Sequence, residues 1–217
     1  MVGLKMKKNF LFDFDGTLVD SMPTFVGVML RILDERNIAY GEDIVKIITP
    51  LGYRGTAEYY RTLGVKESAD ELIETMNRYA RIEYENNIPA KEGVIEALRE
   101  MKARGYDLNV LTASPHIALD PCLKRLGVWE LFTNVWSCDD FATTKANPEI
   151  YRMAAERIGV FVGDVIFVDD NINAVRTAKT AGMVSVGIFD ESSADYADEF
   201  KADADGYVLT LAELLEI

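Results

Sequence analysis

Two pairs of carboxylates stand where apolar runs end. Asn9-Phe10-Leu11-Phe12 leads straight into Asp13-Phe14-Asp15-Gly16-Thr17, and Val165–Val168 leads into Asp169-Asp170. If those runs are neighbouring strands, up to four carboxylates meet at one edge of a sheet. Like charges that close raise one another's pKa unless a cation sits among them. An all-oxygen donor set suits a hard ion, Mg²⁺ in particular, which keeps several waters and binds a substrate phosphate. Gly16 permits a tight backbone turn at the first pair. Alone, Asp-x-Asp-Gly-Thr is also the composition of a solvated turn. An EF-hand loop is a second rival, but Thr24 stands where its closing glutamate belongs. The second acidic pair, after another apolar run, favours a functional site.

Two more groups could serve the same edge. Thr112 follows Leu108–Leu111, bringing a hydroxyl and the backbone N–H groups around Ala113, with the Ser114 hydroxyl next to it. Capping of the following helix is an alternative use of this segment and is compatible with function. Lys145 lies just before a well-signalled helix, and a cation beside a helix N-terminus makes an anion site.

These residues need elements to hold them. Asn9–Phe12, Leu108–Leu111, Val165–Val168 and Val184–Ile188 are short, almost wholly apolar runs, the pattern of central strands in a parallel sheet covered on both faces. Val135-Trp136 and Tyr207-Val208 are weaker strand signals. Between them lie helical patterns: Val94–Ala103 with its stop at Gly105, Pro148–Ile158 with Asn147 as N-cap, and Asn171–Ala181 ending at Gly182. This alternation predicts a doubly wound α/β parallel sheet. One interval is too long for a crossover, because the first two strands lie about a hundred residues apart. The surplus reads as helices over Pro23–Asn37, Thr56–Leu63 and Ala69–Glu85. Residues 1–20 and 88–217 are therefore expected to form a core domain, and 21–87 an inserted helical cap.

In order along the chain, these motifs resemble the haloacid dehalogenase-like hydrolases, in the phosphatase branch with a helical cap. The carriers are Asp13-Phe14-Asp15-Gly16-Thr17-Leu18-Val19-Asp20-Ser21, then Thr112, then Lys145-Ala146-Asn147-Pro148-Glu149-Ile150-Tyr151, and finally Ile166-Phe167-Val168-Asp169-Asp170-Asn171. Ala146 stands where the family usually has proline, and Asn173 where some relatives have another aspartate. The resemblance implies a Rossmann-like core and Mg²⁺-dependent hydrolysis of a small phosphomonoester. Asp13 would form an aspartyl phosphate, with Asp15 as general acid and base. It implies a metal held by Asp13, the Asp15 main-chain carbonyl and Asp169, with Asp170 direct or through water. Lys145 and Thr112 would balance the phosphoryl charge, and Gly16, Thr17, Ala113 and Ser114 would line the substrate. Asp15 argues against dehalogenases and phosphonate-cleaving members, which lack that acid. Mutases of the β-phosphoglucomutase type, the alternative, typically carry a histidine where this chain has Phe25. A phospho-accepting or ligand-binding regulatory domain without turnover is the reading from another class. Asp20-Ser21-Met22-Pro23 is similar to the opening of phosphoglycolate phosphatases.

In the cap, Gly52-Tyr53-Arg54-Gly55 reads as a loop whose Arg54 could meet a substrate carboxylate or phosphate. Tyr59, Tyr60, Tyr79 and Tyr84 read as cap packing, His116 as structural or exposed, and the acidic stretch Asp190–Asp205 as solvated.

Composition narrows the partners. The chain has 217 residues, 49% hydrophobic and 27% charged, and its 23 basic and 36 acidic residues leave a net charge of -13. A field of that sign repels nucleic acid and anionic membranes. Cys122 and Cys138 form no CxxC pair, and the single histidine excludes a His-rich metal site. No apolar run has the length of a membrane span, and Asp13 and Asp15 interrupt the segment after Lys5, Lys7 and Lys8, unlike a signal peptide. A cytoplasmic monomer acting on a small phosphorylated metabolite is the expectation.

Overall fold

A computed structural model of the chain describes residues 8–216, so Lys5 and Lys7 lie outside the described residues. The elements run β1 (Asn9–Phe12), α1 (Met22–Glu35), α2 (Ile44–Ile48), α3 (Gly52–Thr62), α4 (Ala69–Asn86), α5 (Val94–Ala103), β2 (Asp107–Thr112), α6 (His116–Arg125), β3 (Asn134–Ser137), α7 (Glu149–Ile158), β4 (Val165–Asp169), α8 (Ile172–Ala181), β5 (Val184–Ile188), α9 (Ala197–Asp203) and β6 (Gly206–Val208), joined in places by 3₁₀ turns. The chain divides into two compact units, one made of the segments up to Asp20 and from Pro89 onward, the other of Ser21–Ile88.

In the first unit, all six strands are parallel, in the order β3-β2-β1-β4-β5-β6. β1 and β2 are buried along their whole length, as strands covered on both faces must be. The order reverses between β1 and its neighbours, and ligands of open α/β sheets bind beyond the carboxyl ends of the strands at such a switch point. Helix α5 turns Val94, Ala97, Leu98 and Met101 inward. Helix α8 starts where the Asn171 side chain accepts the N–H groups of Asn173 and Ala174, and it stops at Gly182 with φ of +106°. Gly187 on β5 leaves room for Phe200, since an added Cβ would lie 2.2 Å from that ring.

The helical unit packs Val28, Met29, Ile32 and Leu33 of α1 against Ala57 and Tyr60 of α3 and Leu72, Met76 and Tyr79 of α4. The Tyr60 hydroxyl donates to the Met29 carbonyl at 2.9 Å, so this tyrosine is a bonded core residue. A Ser68–Glu71 capping box opens α4.

The sequence pattern and the structure differ in four places. α2 had no signal of its own, being a single short turn, Ile-Val-Lys-Ile-Ile. α3 begins at Gly52 instead of Thr56, so Arg54 is helical and not in a loop. α7 begins at Glu149, with the Asn147 side chain accepting the Glu149 N–H at 3.1 Å. The acidic tail is not wholly solvated, because Asp190 is buried and ion-paired and Phe200 fills the core. No helix among the described residues is long and apolar enough to cross a membrane.

Candidate active site

The register of the sheet assembles the carboxylates. Phe12 pairs with Val168, and the Asp13 N–H donates to the Val168 carbonyl at 2.9 Å, so the side chains that follow β1 and end β4 emerge together. One carboxylate oxygen from each of Asp13, Asp169 and Asp170 falls within a group spanning 4.8 Å. All three residues are buried.

Lys145 is the cation of this group. Its Nζ lies 2.7 Å from Asp13 Oδ1 and 2.8 Å from Asp169 Oδ2. The Tyr151 hydroxyl fixes the Lys145 backbone, lying 3.1 Å from its carbonyl and 3.2 Å from that of Ala174, while the Tyr151 ring packs edge-on against Phe167. Asp169 is held from its other oxygen by the Asn171 N–H at 2.7 Å. Burial works against the Lys145 ammonium, but Asp13 and Asp169 outweigh it and hold its pKa well above the usual value.

The carboxylates feel the opposite balance. Burial pushes Asp13 well above the usual range, and Asp169, Asp170 and Asp15 add repulsion that Lys145 offsets only in part. Burial, then the charge of Asp169, pushes Asp170 up to about 7, although the Thr17 hydrogen bond pulls the other way. Three crowded carboxylates against one ammonium form a donor set that fits a hard cation: every side-chain ligand is oxygen, and a divalent ion would relieve the repulsion.

Asp170 is also oriented by its neighbours. The Thr17 hydroxyl donates to Asp170 Oδ1 at 2.9 Å, and the Asp170 N–H returns a bond to Thr17 Oγ1 at 3.2 Å. Gly16 makes this approach possible: at its φ of +75° an added Cβ would lie 2.4 Å from Asp170 Oδ2. The turn is closed by the Gly16 N–H donating to the Val19 carbonyl at 2.9 Å.

Asp15 is set apart from the cluster, its Oδ2 accepting the Ser114 hydroxyl at 2.5 Å. Thr112, buried at the end of β2, accepts the Ser114 N–H on its own hydroxyl oxygen at 3.0 Å. The loop after β2 therefore presents its hydroxyls to Asp15 and to itself. Ser114 does not cap α6, whose N-cap is Pro115 with no side-chain cap bond. Two carboxylates two residues apart thus have different surroundings, one salt-bridged in a charged cluster and one held by a hydroxyl.

Thr17 spends its hydroxyl on Asp170, and both backbone polar groups of Gly16 are engaged inside the protein, so neither offers these groups to a substrate. The carboxylate of Asp15 sits on Ser114, which leaves its main-chain carbonyl as the atom for the metal role expected of it. Ala113 is exposed at the sheet edge. Arg54 belongs to the helical unit, where it pairs with exposed Asp70 at 2.8 Å.

Sequence reasoning missed Lys91 and Asp190. Lys91 Nζ donates to the Gly16 carbonyl at 2.6 Å, the Phe189 carbonyl at 2.7 Å and Asp190 Oδ2 at 2.9 Å. An isolated lysine and an aspartate in an acidic stretch carry no spacing signal, and only the fold joins residues so distant in sequence.

The arrangement can place a nucleophilic carboxylate, a cation and a separately held acid around one anionic group. Comparison with known proteins shows the family. The haloacid dehalogenase-like hydrolase family matches residues 10–188. The chain is 30% identical over 82% of its length to the pyrophosphatase PpaX of Bacillus velezensis, covering 81% of that protein. It is 28% identical to the phosphoglycolate phosphatase of Colwellia psychrerythraea, over 85% of each chain. Its fold matches that of a Thermotoga maritima structure provisionally named a β-phosphoglucomutase with a TM-score of 0.82, at 24% identity and over 96% of this chain and 97% of that one. The chain belongs to the haloacid dehalogenase-like hydrolase family and groups with its phosphatases.

Proposed function

We propose that the protein is a Mg²⁺-dependent phosphatase that hydrolyses a small phosphomonoester through a phosphorylated Asp13. The observation that carries this reading is the division of labour between Asp13, gripped by Lys145 in the carboxylate cluster, and Asp15, held outside it by Ser114. Asp13 attacks phosphorus and the bond to the ester oxygen breaks. Asp15 gives that oxygen its proton, which splits one hard displacement into two easier ones. Asp15 then takes a proton from the water that attacks the phospho-aspartate, releasing inorganic phosphate and restoring Asp13. Lys145 and Thr112 balance charge on the phosphoryl oxygens. Asp13, Asp169, Asp170 and the Asp15 carbonyl would hold the Mg²⁺, which supplies positive charge where the transferring group gathers its negative charge.

Phe25 supports hydrolysis over the mutase reading, since it stacks on Tyr53 with ring centroids 5.0 Å apart and has no group that transfers a proton. Arg54 is the helical unit's candidate for a second anionic group of the substrate. Cys122 and Cys138 are buried free thiols, which suits a reducing cytoplasm. The test is phosphate release from p-nitrophenyl phosphate, a panel of phosphate esters that includes phosphoglycolate, and the anhydride pyrophosphate, with and without Mg²⁺, for wild type and Asp13→Asn. Mg²⁺-dependent release that Asp13→Asn abolishes is the expected result. Release that survives this substitution overturns the nucleophile assignment.

A further inference from the structure

We propose that Lys91 is a positioning residue for Asp15, an inference that rests on reading Asp15 as the acid of a phosphomonoester hydrolase. An ammonium has three donors, and those of Lys91 meet three oxygens: the Gly16 carbonyl, the Phe189 carbonyl and Asp190 Oδ2. Two of the acceptors belong to the scaffold. The Phe189 N–H donates to the Val208 carbonyl at 2.9 Å, which anchors the segment after β5 to β6. Asp190 is buried, and its second oxygen accepts the Ser192 N–H at 2.9 Å and the Ser192 hydroxyl at 2.6 Å. The third acceptor is the carbonyl of the residue directly after Asp15.

The backbone of Lys91 strengthens the link. Its N–H donates to the Leu18 carbonyl at 3.0 Å, the Asp20 N–H donates to the Pro89 carbonyl at 3.0 Å, and Val19 and Ala90 form an antiparallel bridge. Residues 16–20 are thus stitched to residues 89–91, and the ammonium ties the stitched pair to the end of β5. Gly16 is the point of weakness in this loop, because a glycine at a φ of +75° has no Cβ to limit rotation of its peptide. Without its ammonium partner, the Gly16 carbonyl turns toward water and takes the Asp15 side chain out of line.

The test exploits the leaving group. p-Nitrophenolate departs without a proton, whereas an alkoxide needs one from Asp15. Lys91→Met keeps the aliphatic stem and removes the ammonium. Its kcat/KM is measured with Mg²⁺ on p-nitrophenyl phosphate and on β-glycerophosphate. The ratio of the two values does not depend on the folded fraction of the variant. The expected result is a loss of about tenfold or more on the alkyl ester and of less than about twofold on the aryl ester. Lys91→Arg, which keeps the charge but presents a planar fork, is expected to give a ratio between wild type and Lys91→Met. An unchanged ratio in both variants overturns the proposal, because lost folding or weaker phosphate binding lowers both esters alike. Asp15→Asn is the reference. If it leaves the ratio of wild type unmoved, the reading of Asp15 itself has failed, and the proposal falls with it.

Discussion

Asp170 offers a measurement of how far the carboxylate cluster depends on a cation. Burial and the neighbouring charge of Asp169 push its carboxyl up to about 7, against an ordinary 3.8. Between those two values the folded protein keeps a proton that the unfolded chain has given up, so stability falls as pH rises. The contribution is fully present below 3.8 and gone once pH passes about 7. At about 1.4 kcal/mol per decade, full ionisation in the fold costs about 4 kcal/mol, of which about 3 kcal/mol falls between about pH 5 and about pH 8. Asp170→Asn is neutral throughout and keeps an amide oxygen for the Thr17 hydroxyl. In urea unfolding with a chelator, wild type should lose about 3 kcal/mol more than Asp170→Asn across that interval. Asp170→Asn also relieves Asp13 of one repelling charge, so the difference reads Asp170 together with its coupling to Asp13. Under the proposed function the ionised cluster holds Mg²⁺, so saturating ion should restore wild-type stability at the higher pH. Parallel pH profiles in chelator, or a wild type indifferent to Mg²⁺ at about pH 8, would refute the reasoning.

Three further outcomes can be checked separately. Asp13→Asn should fold with an unchanged circular dichroism spectrum and lose at least about 10³-fold in kcat on every ester, because the covalent route is closed. Gly16→Ala should cost about 1–3 kcal/mol in urea unfolding from its left-handed backbone, and its Cβ, built 2.4 Å from Asp170 Oδ2, should raise the Mg²⁺ concentration needed for half-maximal activity. Burial lowers the His116 pKa, but hydrogen bonds to Asp120 and Asp140 overcome that and hold it above the usual value. Its stabilisation is therefore present in acid and lost as pH rises through that value. His116→Gln should be less stable than wild type in acid thermal melts, and the difference should close at higher pH.

Much of the core was legible because burial on two faces leaves a direct trace in sequence. β1, β4 and β5 are apolar runs, and α5 and α8 carry their apolar faces and caps in plain order. The carboxylate pairs were legible for the same reason: each follows a strand that nothing else could explain. Elements that depend on tertiary packing were not. α2 is too short to show a period, and the first turn of α3 is rich in glycine, which intrinsic preference assigns to a loop. The uses of the hydroxyls were also hidden. Thr17 and Ser114 both read as groups that could face a substrate, yet one is bonded to Asp170 and the other to Asp15. Which partner a hydroxyl chooses is settled by distances of a few ångströms between segments about a hundred residues apart or more.

Environment, more than residue type, distinguishes the two aspartates of the first motif. Asp13 and Asp15 are chemically identical and two positions apart, yet the fold gives them opposite tasks under the proposed mechanism. Asp13 is buried where a cation must hold it ionised, the state a nucleophile needs. Around Asp15, the Ser114 hydroxyl bonds its carboxylate, the Val19 carbonyl accepts the next N–H and the Lys91 ammonium meets the next carbonyl. Such ties orient the carboxyl group that the proposed mechanism uses as acid and base. Lys145 touches the Asp13 carboxylate itself, whereas Lys91 meets the Gly16 carbonyl one residue beyond Asp15 and ties it to Phe189 and Asp190.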